Sequence, residues 1–129
     1  MSNFGFGKIV ESDFEAAVQQ VTDELAKEGF GVLTTIDVQA TLKAKLDIDM
    51  PGYRILGACN PGLASQAISA VADIGLLLPC NVLVREDDDG KVHVGFMDPG
   101  AVLSLVDDPR VDPLAEQVKS KRETVMAAL

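Results

Sequence analysis

The stretch GACNPGLASQA, Gly57 to Ala67, marks a change in local structure, because an apolar run ends there in cysteine and asparagine and is followed by proline. Asparagine is a preferred helix N-cap, and proline suits the first helical position, where its missing N–H costs no hydrogen bond. We therefore predict a strand that ends at Cys59 and a helix that begins at Pro61, with Asn60 as its cap.

A second cysteine-asparagine pair occurs in LLLPCNVLV, Leu76 to Val84. This apolar run predicts another strand, in which Pro79 must occupy an edge, the strand start or a bulge, since proline cannot donate to a sheet ladder. Cys59 and Cys80 are the only cysteines of the chain. The two Cys-Asn motifs, Cys59-Asn60 and Cys80-Asn81, either form part of a chemical site or only mark two places where the local structure changes.

The rest of the chain alternates between strand and helix patterns. Strands are predicted from runs rich in β-branched residues, and helices from apolar residues spaced by three and four positions. The predicted strands are Phe4–Glu11, Phe30–Val38, Tyr53–Cys59, Leu76–Glu86 and Val92–Met97. The predicted helices are Asp13–Glu28, Gln39–Leu46, Pro61–Gly75 and a last helix from Pro113, whose apolar side carries Leu114, Val118, Val125 and Leu129. This order predicts an α+β fold, in which helices pack on one face of a mostly antiparallel sheet of about five strands.

Composition and charge restrict the classes of protein. With 129 residues, 47% of them hydrophobic and 24% charged, the chain is expected to form a single domain over residues 1–129 with its own core. Twenty acidic against eleven basic residues give a net charge of -9, which repels nucleic acid and anionic lipid surfaces. No signal peptide and no apolar run of roughly 20 residues are visible. We expect a cytoplasmic protein with reduced thiols and with no nucleic acid or membrane partner.

Side-chain alternation along the strands assigns residues to the two faces of the sheet. On this count Cys59 and Cys80 both point to the core, whereas His93, the only histidine, points outward. Leu56 and Ala58 also point outward on this count and add apolar surface to that face. We therefore expect a homodimer in which a second copy covers the outward face.

The sequence contains none of the common catalytic or nucleotide-binding motifs. G-x-S-x-G, G-x-x-x-x-G-K, G-x-G-x-x-G before a helix and H-E-x-x-H are all absent, and the acidic turn Glu86–Asp89 lacks calcium-loop spacing. Two cysteines without a CxxC pair do not make a four-ligand zinc pattern. We predict no catalytic residue, no metal ion and no cofactor.

The chain contains GACNP, GLLLPCNVLVRE and the pair Asp98-Pro99, and in these motifs it resembles the family called domain of unknown function 302. The resemblance runs from GFGVLTTIDV to Asp98-Pro99, over more than half the chain. It implies a small α+β domain of the TATA-binding-protein-like type, usually a homodimer, and it supplies no reaction. The positions that match the family motif are Cys59, Asn60, Pro61, Gly75, Pro79, Cys80 and Asn81.

The leading hypothesis is a non-catalytic homodimer that binds a small ligand or a protein partner near the Cys-Asn motifs. Its predicted ligand-binding residues are Cys59, Asn60, Pro61, Pro79, Cys80 and Asn81. The alternative is a thiol-based redox or soft-metal protein that uses both cysteines, with His93 or Asp98 as further ligands, since a thiol before a helix N-terminus is a favoured thiolate position. A third possibility is a structural partner domain with no pocket.

Overall fold

Five strands form one open antiparallel sheet in the computed structural model, which describes residues 3–129. The strands are β1 (Gly5–Val10), β2 (Gly31–Asp37), β3 (Tyr53–Cys59), β4 (Cys80–Glu86) and β5 (Val92–Met97). Their order across the sheet is β1-β5-β4-β3-β2, and every neighbouring pair is antiparallel. The predicted α+β class and the sheet of five strands are confirmed.

Helices follow every strand except β4 along the chain, and a layer of helices packs against the sheet. They are α1 (Phe14–Lys27), α2 (Val38–Leu46), α3 (Pro61–Ala70), α4 (Pro99–Leu103) and α5 (Asp112–Ala127), with a 3-10 helix at Ala72–Leu77. α1 packs against β2, β4 and β5, and α5 packs against α1, α3 and α4. The hydrophobic core lies between this helical layer and the sheet. No helix within residues 3–129 has the length and apolar character needed to cross a bilayer.

The phase of β3 differs from the prediction. Ala58 pairs with Cys80 and Leu56 pairs with Val82 across the two central strands, and directly opposed residues in an antiparallel pair share a face. All four are at most 6% exposed and belong to the core. The prediction that Leu56 and Ala58 point outward was therefore wrong, and so was the prediction that Cys59 points to the same side as Cys80.

An arginine explains the error in phase. Arg54 occupies a core-facing position of β3, opposite Val84, and a charge at such a position suggests the solvent face. Its long side chain instead covers the edge of the core, because the guanidinium lies over the Phe14 ring and reaches Glu15 on α1. Arginine commonly buries its aliphatic stem while its charged end remains near solvent.

The connection from α3 to β4 also differs from the prediction. The helix ends at Ala70 rather than Gly75, and β4 begins at Cys80 rather than Leu76, because residues 72–77 form the 3-10 helix. Pro79 thus lies just before β4 and outside the strand, next to the strand start that was one of the three positions predicted for it. The segment between β5 and the last helix, for which no helix was predicted, contains the short helix α4.

The face of the sheet turned away from the core is named here the outer face. It carries Ile9, Ile36, Ile55, Leu83 and Met97, of which Ile9 is 51% and Ile36 is 49% exposed. His93 also lies on this face, as predicted, opposite Arg85.

Candidate functional site

A cavity of about 350 Å³ lies under α3, where β3 ends and β4 begins. Nearly every side chain in its wall is apolar, and Arg122 is the only charged residue in the wall. We name it the α3 cavity; its lining residues are Phe30, Leu33, Thr34, Ala58, Cys59, Asn60, Leu63, Ala64, Ala67, Ile68, Gly75, Leu78, Pro79, Cys80, Leu103, Leu114, Val118 and Arg122.

Local sequence explains how α3 comes to roof this cavity. Asn60 Oδ1 accepts a hydrogen bond from the Leu63 N–H at 3.2 Å, and Pro61 occupies the first helical turn, so the predicted cap is confirmed. Along the helix, Ala64 and Ala67 line the cavity with single methyl groups. Larger side chains at these two positions would fill the space, because protein interiors are otherwise packed without voids.

The structure brings together four of the six predicted site residues. Cys59, Asn60, Pro79 and Cys80 line the α3 cavity. Pro61 is exposed in the first turn of α3 and is not part of the wall. Asn81 is exposed, pairs with Gly57 of β3 and is not part of the wall either.

The two Cys-Asn motifs are therefore not equivalent. Asn60 caps a helix beside the cavity, whereas Asn81 lies within β4 and points away from its neighbour Cys80. The cysteines differ as well, since Cys59 is half-buried and Cys80 is 6% exposed. Only the first motif joins a strand end to a helix start at the cavity.

The surroundings of the two cysteines give little support to thiol or metal chemistry. Burial raises the pKa of the Cys80 thiol, which keeps it protonated at neutral pH and makes it a poor nucleophile. Within residues 3–129, no three side chains of His, Cys, Asp or Glu cluster closely enough to hold a metal ion.

The further ligands suggested for a metal lie elsewhere in the fold. His93 Nε2 is 2.7 Å from Asp87 Oδ2 in the β4-β5 hairpin. Asp98 caps α4 and accepts a hydrogen bond from Lys119 at 3.1 Å. The structure does not bring either residue to the cysteines, so the expected contribution of His93 or Asp98 was wrong.

Arg122 is the functional candidate that the sequence interpretation missed. It lies on α5 with none of its surface exposed. Its Nη2 donates hydrogen bonds to the backbone carbonyls of Ala58, at 3.1 Å, and Cys80, at 2.8 Å. The guanidinium carbon lies 4.6 Å from the centre of the Phe30 ring, within the range of a cation–π interaction. Arg122 therefore joins α5 to the ends of β3 and β4 at the cavity.

The charge of Arg122 has no counter-ion among residues 3–129, since none of the ion pairs found there includes it. Burial lowers the pKa of Arg122 to about 10, so the side chain remains protonated at neutral pH. Its Nε and Nη1 have no hydrogen-bond partner in the described chain. An unsatisfied buried donor costs about 1–3 kcal/mol, and more when it is charged. The wall of an apolar cavity thus contains a buried cation whose Nε and Nη1 have no acceptor within the described residues.

One signal in the sequence could have revealed Arg122. It follows Val118 by four positions and precedes Val125 by three, so it falls within the apolar stripe of the last helix. An arginine at such a position either is buried with the stripe or buries its stem and extends its charged end to solvent. A buried arginine without a partner nearby is a candidate for a binding role, because buried charges in proteins are normally paired.

The described residues thus form a small α+β domain with an open antiparallel sheet and a ligand-sized apolar cavity under α3. Residues 6–129 match the family described as "Domain of unknown function DUF302", and the chain belongs to that family, as the resemblance indicated. No curated protein matches the chain.

A solved structure supports the fold. The crystal structure of an uncharacterized conserved DUF302 protein from Bacillus stearothermophilus is similar to this chain with a TM-score of 0.90. The similarity covers 98% of both chains at 23% sequence identity. At that identity the likeness establishes the shared fold alone.

Proposed function

We propose that the protein binds a small, largely apolar molecule in the α3 cavity. The observation that carries the proposal is the cavity itself, about 350 Å³ in volume, with an almost wholly apolar wall at which Cys59, Asn60, Pro79 and Cys80 meet. Small-molecule sites in proteins are concave, mostly apolar and about 300–1,000 Å³ in volume, with a few polar groups that orient the ligand. A cavity of this size and lining favours a small ligand over a protein partner.

A neutral fluorescent dye tests the proposal without assuming the natural ligand. N-phenyl-1-naphthylamine brightens when it leaves water for apolar surroundings, and we expect the wild-type protein to bind it with a saturable increase in fluorescence. Ala64→Phe places a ring at the cavity wall and should weaken dye binding at least tenfold. Ala64 is only half-buried, so the larger side chain can be accommodated in the fold.

A matched variant one residue along α3 provides the control. Ser65→Phe adds the same ring at an exposed position that does not line the α3 cavity, and we expect it to bind the dye as the wild type does. Absence of dye binding by the wild type, or equal binding by Ala64→Phe and Ser65→Phe, would contradict the proposed function.

We also propose that the protein is a homodimer, with a second copy on the outer face. Ile9 and Ile36 are about half exposed there, and Ile55, Leu83 and Met97 add apolar surface. Apolar patches of this kind mark interaction sites, and two-fold dimers are the commonest oligomers.

A cytoplasmic location stays a prediction, supported by the two free thiols.

Light scattering in solution tests the dimer. We expect twice the chain mass of 13.7 kDa for the wild type. Leu83→Lys, near the middle of the outer face, should reduce the mass to that of one chain. Leu76→Lys provides the control, because Leu76 is 89% exposed on the 3-10 helix. A wild type of single-chain mass, or a dimer unaffected by Leu83→Lys, would oppose this assignment.

A further inference from the structure

We propose that the molecule bound in the α3 cavity is a monocarboxylic acid with an apolar body, and that Arg122 binds its carboxylate. The inference rests on the proposed function and adds the chemical class of the ligand. It would make Arg122 the residue that selects an acid over a neutral molecule of the same shape.

The unpartnered nitrogens of Arg122 carry the inference. Nη2 already donates hydrogen bonds to the backbone carbonyls of Ala58 and Cys80. Nε carries one N–H and Nη1 carries two, and neither nitrogen has a partner among residues 3–129. A bridge between α5 and the strand ends needs only Nη2, so that structural role leaves the other donors unexplained.

The charge of the wall favours one negative charge on the ligand. Arg122 is the only charged residue among those that line the α3 cavity. A carboxylate would neutralise it and accept its N–H groups, and ionic hydrogen bonds of this kind are about twice as strong as neutral ones. A phosphate monoester would bring a second negative charge into an apolar cavity with no cation to compensate it.

The apolar wall favours a hydrocarbon body on the same ligand. Leu63, Ala67, Leu103, Leu114 and Val118 line the cavity around Arg122. Because none of the guanidinium is exposed to solvent, the carboxylate reaches it only with small movements of these side chains. A hydrocarbon chain that fills the cavity supplies the apolar contact that makes those movements favourable.

Three ligands of nearly equal shape test the assignment on the wild-type protein at pH 7.5. Octanoate, 1-octanol and octylamine are used as competitors that displace N-phenyl-1-naphthylamine. We expect octanoate to bind about tenfold more tightly than 1-octanol, since a charged hydrogen bond of this kind is worth about one such factor. Octylamine should bind most weakly, because its ammonium group is repelled by Arg122.

Two arginine variants then identify the group responsible. Arg122→Met keeps an unbranched apolar side chain and should remove the preference for octanoate over 1-octanol. Arg54→Met is the control, because Arg54 also lies over a phenylalanine ring but does not line the α3 cavity. We expect Arg54→Met to keep the tenfold preference.

The outcomes separate the two proposals. A wild type that binds no dye contradicts the proposed function and this inference together. A wild type that binds dye, octanoate and 1-octanol with equal competition by the last two contradicts only this inference, whether or not Arg122→Met folds. A preference for octanoate that persists in a folded Arg122→Met variant also overturns the role given to Arg122.

Discussion

Two arginines at opposite ends of β3 each lie over a phenylalanine ring, but they differ in their hydrogen-bond partners. The Arg54 guanidinium carbon lies 5.0 Å from the centre of the Phe14 ring, and that of Arg122 lies 4.6 Å from the Phe30 ring. Arg54 donates two hydrogen bonds to the Glu15 carboxylate, at 3.0 and 2.8 Å. Arg122 donates only to backbone carbonyls.

The difference shows which of the two guanidinium charges is paired with a carboxylate within the fold. The chain has 20 acidic residues and 11 basic ones, so carboxylates outnumber basic groups. Arg54, near the surface, is paired with a carboxylate. Arg122, more deeply buried, faces an apolar cavity instead. The charge of Arg54 is compensated by Glu15, whereas the buried charge of Arg122 has no such partner among residues 3–129, and an anion from outside the chain would compensate it. We call the two groups the Arg54 stack (Arg54, Phe14 and Glu15) and the Arg122 stack (Arg122 and Phe30).

Removal of the two rings gives the largest expected difference between the stacks. Phe30 is 2% exposed, so Phe30→Ala should lower the free energy of unfolding by about 3–5 kcal/mol. Phe14 is only half-buried, so Phe14→Ala should cost about 1–2 kcal/mol. Urea unfolding of both variants measures the two values. Equal losses would mean that the Arg122 stack is no more buried than the Arg54 stack.

A methyl group added to β3 near the cavity should have the next largest effect. A Cβ on Gly57 would overlap the Thr34 hydroxyl group and lie 3.1 Å from Cγ of Pro79. Gly57→Ala should therefore cost about 1–3 kcal/mol. Gly95→Ala on β5 is the control, because nothing lies within 4 Å of its Cβ position, and it should be neutral or slightly stabilising. Thermal unfolding of the two variants compares them.

The two asparagines of the Cys-Asn motifs should differ by a smaller amount. Asn60→Ala removes the cap of α3 and should cost about 1 kcal/mol. Asn81→Ala changes an exposed strand position and should alter the free energy of unfolding by less than about 0.5 kcal/mol. Urea unfolding at one protein concentration measures both. A larger loss for Asn81→Ala would show that the second motif, not the first, is structurally important.

The smallest expected effect is a dependence on pH that only the Arg54 stack shows. Arg54 donates hydrogen bonds to Glu15 and lowers the pKa of that carboxyl below its ordinary value of 4.5. A lowered carboxyl pKa stabilises the fold above pH 4.5, and the stabilisation is lost as the pH falls through the folded-state pKa. The loss of stability in Arg54→Met should therefore be largest near pH 7 and disappear in acid.

Arg122→Met is the comparison for this titration. Arg122 has no carboxylate partner in residues 3–129, so its effect on stability should not change between pH 3 and pH 8. Differences between each variant and the wild type, measured by urea unfolding across that range, cancel the titration of the other acidic residues. A fall in the Arg122→Met difference below pH 4.5 would indicate a hidden carboxylate partner.

Local patterns in the sequence predicted the parts of the fold that neighbouring residues determine. Asn60 and Pro61 identified the start of α3 because a cap and a first-turn proline act within three residues. The core-facing phase of β4 followed from simple alternation. The phase of β3 did not, because Arg54 stands on a core-facing position and reaches Glu15, 39 residues away.

The candidate site could be predicted only in part for the same reason. Cys59, Asn60, Pro79 and Cys80 were found because the two Cys-Asn motifs and the proline beside the second one interrupt apolar runs. Arg122 was missed because its environment is tertiary: its hydrogen-bond acceptors, Ala58 and Cys80, are 64 and 42 residues away. The burial of a charge depends on what distant segments place around it, and periodicity along one helix does not report that.

A crystal structure of the protein grown with octanoate tests the central claim most directly. We expect octanoate in the α3 cavity, with its hydrocarbon chain under α3 and a carboxylate oxygen about 2.7–3.2 Å from a nitrogen of Arg122. Octanoate bound elsewhere, or bound in the cavity with its carboxylate directed away from Arg122, would contradict it.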